Sequence, residues 1–62
     1  MFTAGDEVFI SSCEDDPRAA GKIGTIIDEV PPGPLTQGRW TVAGISILIA
    51  PVLCHGHELT KV

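Results

Sequence analysis

Two short β-type runs, each opened by a glycine, do most to limit what this chain can become. Gly5-Asp6-Glu7-Val8-Phe9-Ile10 is followed, across an acidic loop, by Gly21-Lys22-Ile23-Gly24-Thr25-Ile26-Ile27. In the first run Val8 and Ile10 alternate with Glu7 and Phe9, the period of two expected of a strand with one buried face. Gly5-Asp6 reads as the turn that opens it. The second run extends from Gly21 to Val30, and Gly24 inside it predicts a bulge that bends the strand. The two strands are expected to pair antiparallel. Alternation puts Val8, Ile10 and Ile26 inward and turns Phe9 and Ile27 outward, where they become cross-strand neighbours.

The rest of the chain is punctuated in the same way. Ser11 to Ala20 holds two serines, the triplet Glu14-Asp15-Asp16 and Pro17, and reads as a solvated loop through which no strand continues. Pro31-Pro32-Gly33-Pro34 cannot lie inside a sheet and makes a stiff connection that runs on through Leu35 to Gly38. Arg39–Ala43 resumes alternation as a third strand, and Gly44 is the natural bend. Ile45-Ser46-Ile47-Leu48-Ile49-Ala50 is rich in β-branched residues and predicts a fourth strand ended by Pro51, with Leu48 facing outward. Cys54-His55-Gly56-His57-Glu58 reads as a short turn, and Leu59-Thr60-Lys61-Val62 as a closing strand. No segment carries an amphipathic helical period, so the expectation is a small all-β barrel or sandwich.

Size and charge narrow the function classes. A single domain of 62 residues holds one thin core and has no room for a second lobe or a deep cofactor cleft. The longest apolar stretch, Ile45 to Cys54, falls far short of the roughly 20 residues of a membrane-spanning helix. Met1 is followed by no basic segment with an apolar stretch and a small-residue cleavage site, so the chain reads as cytoplasmic and not inserted in a membrane. Eight acids against four bases give a formal charge of −4. Affinity for nucleic acid rests largely on Lys and Arg neutralising phosphates, and this balance disfavours it.

The residues resemble a known architecture. Gly5-Asp6-Glu7-Val8-Phe9-Ile10 with Gly21-Lys22-Ile23-Gly24-Thr25-Ile26 is similar to the paired strands of KOW-type SH3-like barrels. Trp40-Thr41-Val42 resembles their third strand, and His57-Glu58-Leu59-Thr60-Lys61-Val62 their turn and closing strand. The ending also resembles that of the E-type subunits of photosystem I. The resemblance implies a five-stranded SH3-like barrel over residues 1–62, with a short 3-10 turn before the last strand. Members of this architecture bind RNA, bind proteins or serve as accessory subunits, so it implies an interaction module. KOW domains that bind ribosomal RNA are typically basic, which this chain is not.

Candidate sites follow from residue chemistry. Phe9, Ile27 and Leu48 are apolar positions on the expected outer face, and contiguous exposed apolar surface commonly marks a protein-binding site. Self-association would bury more apolar surface for so small a core. The alternative, a KOW-like component of a nucleic-acid complex, would use Lys22, Arg39 and Lys61 with Trp40, although core is the simpler role for the one tryptophan. Cys13, Cys54, His55 and His57 carry zinc-type donors, but their spacing matches no recognised zinc motif. The simpler reading is a buried cysteine and two surface histidines in a turn. Glu14-Asp15-Asp16 and Asp28-Glu29 read as solvated acids. Ser11, Ser12 and Ser46 lack a nucleophile-elbow context, and Gly21-Lys22-Ile23-Gly24 is no phosphate-binding loop. The expectation is a protein-binding, non-catalytic chain with no cofactor.

Overall fold

The computed structural model describes residues 2–30 and 38–62. They form an all-β unit with strands β1 (Glu7–Ile10), β2 (Ile23–Val30), β3 (Arg39–Ala43), β4 (Val52–His55) and β5 (Leu59–Lys61). Short 3-10 turns lie at Pro17–Ala19 and Gly56–Glu58. The strands make one antiparallel sheet in the order β4-β3-β2-β1-β5. No strand pairing closes the sheet between β4 and β5 among the described residues. The Pro31-Pro32-Gly33-Pro34 connection, through Gln37, lies outside the described residues.

The alternation read from the first run holds. Val8 and Ile10 are buried while Glu7 and Phe9 are exposed. Each strand supplies its inward side chains to one core: Val8 and Ile10, Ile26, Val42, Val52 and Cys54, and Leu59. Cys13 and Ala19 close the core from the loop after β1, and Ile49 from the segment before β4. Phe2, Ile45 and the half-buried Trp40 pack around it. The ring of Phe2 meets that of Trp40 edge-on, with centroids 5.5 Å apart. The loop from Ser11 to Ala20 is thus less solvated than its composition suggested, because Cys13 and Ala19 turn into the core.

Three expectations are corrected. Gly24 does not make a bulge. It sits in register opposite Val8, and the register shifts later, between Ile26 and Asp28. Gly24 is needed for space, since a Cβ there would lie 2.6 Å from Val42 Cγ1, 2.9 Å from Ile45 Cγ1 and 3.0 Å from the Ala43 carbonyl oxygen. Second, Phe9 faces Ile23 across the β1–β2 pair, not Ile27, which lies at the bulge. Third, Ile45–Ala50 is not a strand. Gly44, at φ +69°, turns the chain out of β3, and Ser46 then organises a tight turn. Its carbonyl accepts the Ile49 N–H at 3.1 Å and its hydroxyl oxygen the Leu48 N–H at 3.2 Å. The fourth strand is Val52–His55 instead, beginning directly after Pro51, where a strand tolerates proline at its start.

Candidate functional site

The outer face of β1 and β2 carries apolar side chains that the core leaves out. Phe9 is 40% exposed, and Ile23, its partner across the strands, 49%. Ile27, at the bulge and next to the buried Ile26, is also 49% exposed. Phe2 does not cover this face; it packs against the core and Trp40. Glu7, Asp28 and Glu29 are exposed along the same two strands and take part in no ion pair among the described residues. Leu48 is 78% exposed and Ile47 fully so, but at the tip of the Ser46–Ile49 turn and not on a strand.

Ile23 escaped the sequence reading because its place opposite Phe9 depends on the β1–β2 register, which alternation along one strand does not set.

The basic residues do not gather. Arg18 lies 2.8 Å from Asp16, Lys61 3.3 Å from Asp6 and Arg39 3.6 Å from Glu14. The Arg18 pairing holds the Asp16 carboxyl below its usual range through hydrogen bonds from both the side chain and the backbone of Arg18. The Asp6 carboxyl is also held low, chiefly by the Thr3 N–H, with Lys61 helping against the cost of burial. Lys22 is exposed and makes no ion pair among the described residues. Trp40 sits on the inner side of β3 opposite Cys54, so it does not share a surface with these cations.

The four zinc-type donors divide into two pairs. Cys13 and Cys54 are free thiols inside the core, with sulfurs 3.6 Å apart. His55 and His57 stack on one another, centroids 5.3 Å apart and 10° from parallel. No group of three or more His, Cys, Asp or Glu side chains converges on a common point among the described residues, and no surface pocket is found among them.

The residue the sequence reading missed is Glu58. It is 4% exposed, the one buried charged side chain among the described residues. Its Oε1 accepts the His55 N–H at 2.9 Å, and its Oε2 accepts the Glu14 N–H at 3.0 Å and the Ser12 hydroxyl at 3.3 Å. Its backbone carbonyl takes the Ser11 N–H at 2.8 Å. Burial pushes the carboxyl up, but the His55 and Glu14 N–H groups, the Ser12 hydroxyl and the nearby His55 charge outweigh it and hold the group below the usual carboxylate range. Glu58 thereby ties the loop after β1 to the end of β4.

Asp15 completes that seam, since its Oδ2 accepts the Leu53 N–H at 3.1 Å. β4 is an edge strand, and the N–H groups of Leu53 and His55 point away from β3. Both are occupied by carboxylates. An edge with its donors capped no longer offers a ready template for another strand.

Comparison of the chain with protein-family models, with curated proteins and with solved structures returns no match. The class defined so far is a small all-β unit built on one antiparallel five-stranded sheet.

Proposed function

We propose that this chain is a non-catalytic protein-interaction module, a small regulator or an accessory component of a larger complex, that binds through the outer face of β1 and β2. The observation that carries the reading is the exposed cross-strand pair Phe9–Ile23, extended by Ile27 on the same strand. A small domain with few apolar side chains to spare leaves three of them in water on adjoining strands, and such patches commonly mark interaction surfaces. Glu7 and Asp28 lie on the same face, so the partner that fits is a protein surface with apolar side chains flanked by Lys or Arg. Leu48 stands apart on its turn and would serve as a separate contact.

The sheet order β4-β3-β2-β1-β5 and the 3-10 turn before β5 support an SH3-like barrel of the kind seen in KOW domains and the E-type subunits of photosystem I. In that architecture the seam beside β4 would stand in for the missing strand pairing. The nucleic-acid alternative draws less support, because Arg18, Arg39 and Lys61 each face a carboxylate.

The test is affinity capture from the native cell with the wild-type chain and with the Phe9→Ser/Ile23→Ser double variant. The wild type should retain a protein partner, and the variant should lose it while keeping its thermal midpoint. A partner retained by the variant sinks the proposed face. A variant that unfolds would show that the pair belongs to the core; Ile27→Asp, at the bulge, then probes the face alone.

A further inference from the structure

We propose that Cys13 and Cys54 are a redox pair, closed into an intramolecular disulfide by exchange with a small-molecule disulfide and reopened by thiols. This goes beyond the interaction reading and does not depend on it. The sulfurs lie 3.6 Å apart within the core, from residues 41 positions apart in sequence. A disulfide needs a separation of about 2.05 Å, so the two must approach by roughly 1.5 Å, within reach of side-chain rotation and a small loop shift. Cys54 is fixed in β4, whereas Cys13 lies on the irregular segment after β1. That segment is held to β4 by side chains, through Asp15 on Leu53 and Glu58 on Glu14 and His55, and not by a strand ladder. It can therefore lift without breaking the sheet.

The two cysteines take different parts. Cys13 Sγ accepts the Asp16 N–H at 3.4 Å as well as the Cys54 thiol. Burial, and then the neighbouring Cys13, push the Cys54 thiol up, which suits it poorly to attack first. When the loop lifts, Cys13 loses its proton and its thiolate attacks one sulfur of the small disulfide. That sulfur–sulfur bond breaks, and one thiolate leaves and takes up a proton. Cys54 then loses its proton and attacks Cys13 Sγ, breaking the mixed disulfide and expelling the second thiolate, which is also protonated. The protein gives up two electrons and two protons, and the small disulfide is reduced to two thiols. The new bond adds a covalent tie to the polar seam and holds the acidic loop against β4.

The experiment incubates the reduced full-length chain with oxidised glutathione under native conditions, followed by intact mass spectrometry and thermal unfolding. The expected product is a monomer lighter by two hydrogens, reversed by dithiothreitol, with a thermal midpoint raised by about 10 °C. Because the chain has only two cysteines, that mass identifies the bond. A Cys54→Ala variant should stop at one glutathione adduct on Cys13. A stable adduct on the wild type, a disulfide-linked dimer, oxidation only in denaturant, or a midpoint that does not rise would each overturn the proposal. If Cys54→Ala fails to fold, the wild-type mass still decides.

Discussion

Gly24 and Glu58 show how single residues govern this small structure. At Gly24 the constraint is space: three atoms of β3 and the following turn already occupy the region a Cβ would enter, one of them a backbone oxygen. Gly24→Ala should destabilise the fold by about 1–3 kcal/mol, the range for overpacking a filled core, and lower the thermal midpoint accordingly. At Glu58 the constraint is hydrogen bonding. Three donors converge on two carboxylate oxygens that are shut away from water. Glu58→Gln keeps the shape but replaces one accepting oxygen with an amide that cannot accept. At least one donor is stranded, and urea unfolding should register a loss of about 1–3 kcal/mol.

At the scale of elements, β4 and its surroundings matter most. Two carboxylates from outside the sheet cap its free N–H groups, a device that ends strand pairing without adding a strand. Asp15→Ala should release the Leu53 amide to water. Its hydrogen exchange should speed up by about tenfold, matching a lost hydrogen bond of roughly 1 kcal/mol, while amides in the β1–β2 pair stay unchanged. An unchanged rate at Leu53 would mean that the capping bond is not formed in solution. The preceding turn illustrates a different rule. Ile45–Ala50 has the composition of a strand, yet strand preference reflects packing on a pleated surface more than an intrinsic backbone demand. Between β3 and β4 the chain must reverse, and Ser46 supplies the hydrogen bonds that hold the reversal.

For the molecule as a whole, the polar seam links folding to pH. Glu58 has a folded-state pKa held below its unfolded value of about 4.3. Its contribution is therefore complete above that unfolded value and is lost as pH falls through the lower folded one. Asp6 and Asp16 shift in the same direction at the surface, where solvent screens most of the effect. Stability measured by urea unfolding should decline with acid below about pH 5, and the decline should be shallower in Glu58→Gln. Equal slopes in the two proteins would remove Glu58 from the account. The apolar outer face, with Glu7 and Asp28 beside it, lies on the opposite side of the sheet from the core, so partner contact and folding draw on different residues.

How much of this was legible in advance depended on the range of the interaction. Short-period alternation determined β1, β3 and the inward set Val8, Ile10 and Ile26, because side-chain direction in a strand follows from neighbouring residues alone. Glycine marked the bend at Gly44, since its backbone limits are local too. Phe9 and Ile27 were legible as outward residues for the same reason. Only the tertiary structure decided that Phe9 meets Ile23, that Gly24 provides clearance and not a bulge, and that Val52–His55 is the fourth strand. It alone brought Cys13 to Cys54 and made Glu58 the centre of a seam. Those outcomes depend on register and on contacts between segments more than 40 residues apart. Such contacts form where the folded backbone brings donors and acceptors together, and no pattern along the chain encodes that distance.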